Sequence, residues 1–211
     1  MQEIQKEAVK ENRAFREMQK CAQKWLKEKE PETIAANANV KFEKEKNFFE
    51  FQSLNETVKL RFPEYEFMQE MDEWQQLLTL HYLNIADGME IVPEWISFGS
   101  LKDGRIRGTK FDNTVAKWLG EFFYEKSQKE AGQICRFLGA EIVESRADLS
   151  AVFSLFPNYP LRLNIWLTDD EFPCSARLLV NKNADHYLTV EDAVLAGELI
   201  MRKLEFADAF C

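Results

Sequence analysis

Apolar residues repeat at two different spacings along this chain, and the change from one spacing to the other limits its fold more than any other feature. Over residues 1 to about 29 they recur every three or four positions, as on one face of a helix. Over residues 46–62 they alternate with polar residues, and Asn55-Glu56 separates two such runs as the turn of a β-hairpin would. Helical spacing returns over residues 70–85. The sequence therefore predicts an α+β fold.

The second half of the chain continues this mixed pattern. Residues 95–101 and 105–111 predict a second hairpin, because they flank Asp103-Gly104 and both residues of that pair tolerate positive φ. We expect residues 112–114 to cap a following helix. The whole pattern predicts a mixed or antiparallel sheet of hairpins packed with several helices. Its remaining elements are a helix over 125–138 stopped at Gly139, strands over 141–143, 161–167 and 177–180, and a helix capped by Thr189.

The N-terminal segment, residues 1–30, is predicted to form a long helix that ends at Pro31, because the residue before a proline is pushed out of helical geometry. Its apolar stripe, which includes Phe15, Met18 and Trp25, needs a cover. The helix either docks on the main domain, which we favour, or pairs with a partner. Residues 31–211 contain no linker or low-complexity tract, so we predict a single α+β domain there.

Charge and composition limit the partners. The chain carries 27 basic and 36 acidic residues, a net charge of −9, which argues against binding to nucleic acid or to anionic membranes. No stretch approaches the roughly 18 apolar residues of a membrane span, and the charged N-terminus lacks the apolar region of a secretory signal. The four cysteines are scattered, without a Cys-x-x-Cys pair, which suits a reducing compartment. We therefore expect a cytoplasmic protein.

The only two histidines of the chain lie in the same motif, His-Tyr-Leu-x-[Ile/Val]-x-Asp, at residues 81–87 and 186–192. Histidine is the side chain best suited to proton transfer near neutral pH. His81 falls within an apolar helical stripe, so we expect a core histidine bonded to a backbone or carboxylate partner. His186 precedes the cap at Thr189 and should lie in a loop. Because the two contexts differ, the repeat does not indicate a duplicated functional unit.

Acidic residues surround the second histidine in the predicted fold. Asp170 and Glu171 lie on a turn between two predicted strands, and Glu191 follows His186 and Tyr187. If the strand before that turn lies beside the last helix, these groups could hold a divalent metal or orient the imidazole for acid–base chemistry. The alternative is a solvated turn, with Glu191 placed favourably in the helix dipole. These five residues are the candidate ligand site; their spacing specifies no metal or cofactor.

A short basic stretch offers a second candidate site. On the predicted strand, Arg105 and Arg107 would point to the same face, a geometry that can grip a phosphate or a carboxylate. The alternative is a charged strand edge that blocks aggregation. The sequence leaves both interpretations of this stretch open.

Several motifs resemble a known family in their order and combination. They are Leu-His-Tyr-Leu at 80–83, Asp-Gly at 87–88, Glu-Trp-Ile-Ser-Phe at 94–98, Asp-Gly at 103–104, Glu-Phe-Pro at 171–173 and His-Tyr-Leu-Thr-Val-Glu-Asp at 186–192. This arrangement resembles domain-of-unknown-function family 3786, over residues about 31–206. The resemblance implies an origin in anaerobic bacteria or archaea. It also implies a link to one-carbon or corrinoid metabolism, because some members are joined to iron–sulfur modules of the corrinoid-protein type. It assigns no functional residue.

Three functions remain open on this sequence. The leading hypothesis is a non-catalytic binding or accessory protein, with a small polar ligand or a partner protein near Glu171 and His186; it requires a pocket without reactive geometry. An enzyme that uses His186 with Asp170 or Glu171 requires these groups to share a pocket. A protein-interaction module that uses the N-terminal helix requires its apolar stripe to be exposed.

Overall fold

The computed structural model describes the backbone of residues 2–211 and the side chains of residues 15–211. The predicted α+β fold is confirmed. The helices are α1 Gln2–Lys27, α2 Pro31–Ala38, α3 Glu73–Ile85, α4 Arg107–Phe123, α5 Gln128–Phe137 and α6 Val190–Asp208. The strands are β1 Lys41–Glu43, β2 Phe48–Ser53, β3 Glu56–Arg61, β4 Glu66–Phe67, β5 Trp95–Ile96, β6 Glu141–Ile142, β7 Leu149–Phe156, β8 Tyr159–Trp166 and β9 Ser175–Asn181.

The strands form two antiparallel sheets. The smaller sheet has the order β1-β2-β3-β4 and contains the predicted hairpin, in which Phe51 lies opposite Val58 and Ser53 opposite Glu56. The larger sheet has the order β5-β9-β8-β7-β6. Its centre is the β7–β8–β9 meander, of which the sequence pattern indicates only β8 and β9. The alternating segments therefore predict the hairpin of the smaller sheet, whereas the β7–β8 hairpin at the centre of the larger sheet is not predicted.

One continuous core joins the two sheets and the helices. The backbone N–H of Leu54, in the turn of the first hairpin, donates to the carbonyl of Ser154 in β7, at 2.8 Å. Helices α4 and α5 pack on the larger sheet, and α6 packs against α3, α4 and α5. Gly197 allows this close approach, because a Cβ at that position would lie 2.5 Å from the ring of Phe111 in α4. Helix α6 is thus the central element that fixes α3 and α4 relative to each other.

The described part of α1 packs on α3. Phe15 is buried and meets the ring of Trp74 edge-on, with 5.3 Å between centroids, and the hydroxyl of Tyr65 donates to the carbonyl of Leu26. Met18 and Trp25, which the helical stripe also contains, are 41% and 51% exposed. The side chains that cover residues 15–26 of α1 therefore come from the same chain, while Met18 and Trp25 keep part of their surface in solvent.

The predicted second hairpin is wrong. Strand β5 is two residues long, a short 3₁₀ helix follows at Phe98–Ser100, and the next segment forms the start of α4. Asp112 does not cap a helix; its carboxylate accepts from the backbone N–H groups of Phe98 and Gly99, at 3.0 and 2.8 Å. The physical reason is close packing, because a Cβ at Gly108 would lie 2.2 Å from the carbonyl oxygen of Phe98. Glycine here permits a helix to touch the 3₁₀ helix, rather than a strand to turn.

The other predicted helices are confirmed with small shifts. Helix α5 begins at a capping box formed by Ser127 and Glu130 and ends at Phe137, two residues before Gly139, whose φ is +78°. Helix α6 is capped by Thr189, whose hydroxyl accepts from the backbone N–H of Asp192. Among the described residues, no helix has the length and apolar character needed to cross a membrane.

Candidate functional site

The two His-Tyr-Leu motifs lie against each other, and we refer to residues 81–87 and 186–192 as the paired motifs. Nδ1 of His81 lies 2.7 Å from the carboxylate of Asp192, and Nδ1 of His186 lies 2.6 Å from the carboxylate of Asp87. Each histidine thus binds the aspartate that ends the other motif. The exchange is reciprocal and joins the end of α3 to the start of α6.

The tyrosines of the paired motifs complete this junction. The rings of Tyr82 and Tyr187 stack with 5.7 Å between centroids, and the side-chain amide of Asn158 donates to the hydroxyl of Tyr187. Tyr82 donates to the carbonyl of Ala38, at 2.6 Å, and Tyr187 donates to that of Met89. Both tyrosines are at most 1% exposed, and burial raises the pKa of each hydroxyl. The paired motifs therefore form a bonded structural junction, with their tyrosines closed to a ligand.

The two His–Asp pairs differ in burial. Asp192 is 10% and His81 21% exposed, and the hydroxyl of Thr189 donates to the second carboxylate oxygen of Asp192, at 2.8 Å. Asp87 is 51% and His186 34% exposed. The hydrogen bond from His186 lowers the pKa of the Asp87 carboxyl below its usual value. His81 matches the expected carboxylate-bonded histidine, although part of its ring reaches solvent.

The structure does not bring the candidate ligand residues together. Asp170 and Glu171 lie on the turn that precedes β9, whereas His186, Tyr187 and Glu191 follow its far end. The seven residues of β9 separate the two groups by about 20 Å of extended backbone. The acidic turn is held by its own Asp169, whose carboxylate accepts from the backbone N–H groups of residues 171 and 172. Within the described side chains, no cluster of three or more His, Cys, Asp or Glu could hold a metal ion.

The two arginines of the second candidate site do not share a strand face. Arg105 lies in the turn before α4, and Arg107 is the first residue of that helix. Both are exposed, and a guanidinium nitrogen of Arg107 lies 3.9 Å from the carboxylate of Glu198 in α6. The predicted strand geometry for gripping an anion is therefore wrong.

A large open concavity lies elsewhere, between α4 and β9, and we call it the β9 groove. It consists of a cleft of about 1140 Å³ and a second of about 480 Å³. Ala116 of α4 and Arg177 of β9 line both clefts, so the two meet there. The larger cleft extends to residues 169–174 of the acidic turn, and the smaller extends to the 3₁₀ helix Phe98–Ser100. The groove therefore follows β9 along most of its length.

The edge of β9 that faces the groove lacks a neighbouring strand. Strand β5 pairs only with Val180 and Asn181. Beyond that pair, the backbone N–H of Lys182 donates to Glu94, so alternate residues of β9 direct their N–H and C=O groups to this side. Ala176 and Leu178 are the next two such residues. Both residues are nearly fully buried, at 2% and 3% exposed, because α4 packs on β9. Their backbone groups are therefore closed to a ligand, and the open surface of the groove is formed by side chains.

The side chains of the β9 groove combine aromatic surface with separated charges. Phe172 and Tyr124 line the larger cleft and are 66% and 55% exposed. Arg177, at the centre, is exposed and has no ion-pair partner within the described side chains. Asp148 and Asp169 lie toward the acidic turn. The groove thus offers a positive centre, a negative end and an aromatic wall.

The groove contains no activated nucleophile among its described side chains. Its cysteine, Cys174, is 9% exposed; burial, together with the charge of Asp148, raises the pKa of the thiol, which keeps it protonated at neutral pH. The carboxylates of Asp148 and Asp169 accept backbone N–H groups of the surrounding turns. Neither histidine lines either cleft. Sequence patterns could not indicate this groove, because its lining comes from α4, the acidic turn and β9, which are far apart in the sequence.

The fold and these features define an α+β protein with a structural His–Asp junction and an open groove beside a strand edge. The chain belongs to the family described as Domain of unknown function (DUF3786), whose model matches residues 30–203. That range includes the paired motifs and every residue of the β9 groove, and it agrees with the extent of the resemblance found in the sequence. No curated protein and no solved structure matches the chain.

Proposed function

We propose that this protein is a non-catalytic binding protein whose ligand occupies the β9 groove. The observation that carries the proposal is the large cleft of the groove, where Arg177 has no ion-pair partner among the described side chains and lies with the exposed rings of Phe172 and Tyr124. A charge without a partner in a concave, partly apolar site can orient a bound ligand. The groove has volume and polarity without reactive geometry, which is the arrangement expected of a binding protein.

The enzyme alternative finds less support. It requires His186 to share a pocket with Asp170 or Glu171, and these groups lie at opposite ends of β9. His186 is instead bonded to Asp87, and His81 to Asp192. The carboxylates of Asp148 and Asp169 in the groove accept backbone N–H groups of their own turns, whereas a general acid or base must reach the reacting atom with its hydrogen bond.

The interaction-module alternative also finds less support. Phe15, Ala22 and Leu26 of α1 are buried against the same chain.

From the family resemblance, we further propose that the protein comes from an anaerobe and is an accessory to one-carbon or corrinoid metabolism. From its scattered cysteines, we propose that it acts in the cytoplasm.

A blocking substitution tests the proposed site. Ala116→Trp would fill the point where the two clefts meet, whereas Thr114→Trp places the same side chain on the exposed face of α4. Backbone amide NMR spectra of both variants and of the wild type would be recorded with three probes: succinate, N-acetyltryptophanamide and a random pool of short peptides. We expect shifts of groove residues in the wild type and in Thr114→Trp, and their loss in Ala116→Trp. A wild-type spectrum in which none of the three probes moves a groove signal contradicts the proposal.

A further inference from the structure

We propose that the ligand of the β9 groove is a small organic acid with two carboxylates, one bound by Arg177 and the other by Arg162. This inference rests on the proposed function and names the chemical class of the ligand that the same site receives. Arg162 lies on β8, outside both clefts. The ligand would therefore reach from the larger cleft onto the outer face of the larger sheet, where the half-buried residues of β8 alternate with buried ones.

The two arginines share this outer face. Arg162 lies opposite Leu179 of β9. Arg177 lies opposite Asn164, so the two arginines are diagonal neighbours on adjacent strands. Trp166 is also on this face, because residues two apart on a strand share a face, and it lines the larger cleft. The row of Arg162, Asn164 and Trp166 therefore continues the surface of the groove along β8.

Arg162 is a half-buried cation without a counter-ion among the described side chains, and every other described arginine is exposed. Three lysines are also half-buried, and each has a carboxylate partner within 3.2 Å. These pairs are Lys59 with Glu50, Lys126 with Asp208 and Lys203 with Glu56. A charge that is partly removed from water needs an opposite charge to offset its lost hydration. An anion from outside the chain would supply that charge to Arg162.

The head group of Arg162 is already oriented for such an anion. Its Nε donates to the hydroxyl of Ser150, at 2.9 Å, and to the side-chain carbonyl of Asn164, at 3.1 Å. The ring of Trp95 lies 5.8 Å from the guanidinium carbon. Because Nε makes both of these bonds, the two terminal nitrogens can bind a carboxylate as a fork, and little side-chain entropy is lost on binding.

The separation of the two arginines favours two carboxylates over one. Ser150, which holds Arg162, is on β7, whereas Arg177 is on β9 and lines the clefts beside α4. These two strands are two strand spacings apart, about 10 Å. A carboxylate lies about 2.8 Å from the nitrogen that it accepts from, so a single carboxylate is too small to pair with both arginines. Asp148 and Asp169 repel the same groups from the acidic end of the groove.

The test compares three ligands with the same six-carbon chain: adipate with two carboxylates, hexanoate with one, and dimethyl adipate with none. Affinities would be measured at constant ionic strength from the NMR shifts of backbone amides in residues 162–166 and 175–179. The proteins are the wild type, Arg162→Gln, Arg162→Lys and Arg177→Gln. Arg146→Gln is the matched control, because Arg146 is exposed and lines neither cleft.

We expect the wild type to bind adipate about tenfold or more tightly than hexanoate, and dimethyl adipate most weakly, because each carboxylate adds a charge-assisted pair. Arg162→Gln and Arg177→Gln should each remove most of the preference for adipate, whereas Arg146→Gln should leave it unchanged. Arg162→Lys keeps the charge and loses the fork, so it should retain part of the preference.

Equal binding of adipate and hexanoate to the wild type, or a preference that survives unchanged in Arg162→Gln or Arg177→Gln, overturns the two-carboxylate proposal. If N-acetyltryptophanamide, succinate or the peptide pool still shifts groove signals in that case, the proposed binding function stands. If no probe shifts them, both proposals fail.

Discussion

Burial, rather than hydrogen-bond geometry, should decide how much each His–Asp pair contributes to stability. The two pairs have nearly the same distance, 2.7 and 2.6 Å, and the same atoms. Asp192 is 10% exposed and also accepts from Thr189, whereas Asp87 is 51% exposed. A buried hydrogen bond to a charged group contributes about 1.5–3 kcal/mol, and an exposed ion pair about 0–1 kcal/mol. We therefore expect Asp192→Ala to lower the free energy of unfolding by about 3 kcal/mol and Asp87→Ala by about 0.5 kcal/mol.

Urea unfolding followed by circular dichroism would measure both values, with equal m-values as the condition for comparing them. A double-mutant cycle isolates each pair, because Asp192→Ala also removes the bond to Thr189. His81→Ala with Asp192→Ala should show a coupling of about 1–2 kcal/mol, and His186→Ala with Asp87→Ala a coupling near zero. The reasoning is refuted if Asp87→Ala destabilises the protein as much as Asp192→Ala, or if the coupling is larger for the exposed pair.

Three further predictions concern pH, packing and thiol chemistry. The hydrogen bond from His186 lowers the folded-state pKa of Asp87, so the stability that Asp87 contributes is present above its unfolded pKa and is lost as pH falls. In urea titrations, the difference in unfolding free energy between wild type and Asp87→Ala should therefore shrink below about pH 4. A difference that grows there would contradict this. Gly197→Ala should destabilise the protein by about 1–3 kcal/mol, because the added methyl would meet the ring of Phe111. Gly132→Ala should stabilise it by up to about 1 kcal/mol, because the added methyl would be near only the flexible end of an arginine and a leucine methyl. Thermal melts that give the opposite order would contradict the packing argument. Burial raises the pKa of Cys135 to about 12, so its thiol should react slowly with iodoacetamide in the native protein. Mass spectrometry should find the exposed Cys21 and Cys211 modified and Cys135 intact. Early labelling of Cys135 would contradict its burial.

The elements predicted correctly are those with a strict local period. The hairpin of β2 and β3 alternates over six residues on each strand, and α3 and α6 carry both a helical stripe and a capping residue. Strand β7 was missed because its burial pattern is almost continuous, so its sequence, Leu-Ser-Ala-Val-Phe-Ser-Leu-Phe, has little alternation. Local periodicity identifies surface elements better than it identifies a strand buried on both faces.

The second hairpin failed for a different physical reason. Asp103 does adopt a positive φ, +61°, so the turn itself is real. The chain continues from this turn into a helix, because Gly104 and Gly108 are one helical turn apart and both approach the carbonyl oxygen of Phe98 to a distance at which a Cβ would clash. The same glycines could serve a turn or a close helix contact, and only the position of the 3₁₀ helix distinguishes the two.

The sites were harder to predict than the fold. The repeat of the His-Tyr-Leu motif carried a usable signal, since both copies end in an aspartate at the same offset, and each histidine binds the aspartate of the other copy. The histidine and the aspartate of each pair are 111 and 99 residues apart in the sequence, so only the tertiary fold shows the exchange. The β9 groove has no sequence signature, because only the tertiary fold brings α4, the acidic turn and β9 together around it.

Backbone amide NMR of the wild type, Ala116→Trp and Thr114→Trp tests the central claim most directly. With at least one of the three probes, signals of groove residues such as Arg177, Phe172 and Tyr124 should shift in the wild type and in Thr114→Trp. The same probe should leave these signals unmoved in Ala116→Trp. Groove signals that no probe moves in the wild type, or that move equally in Ala116→Trp, would contradict the proposed binding site.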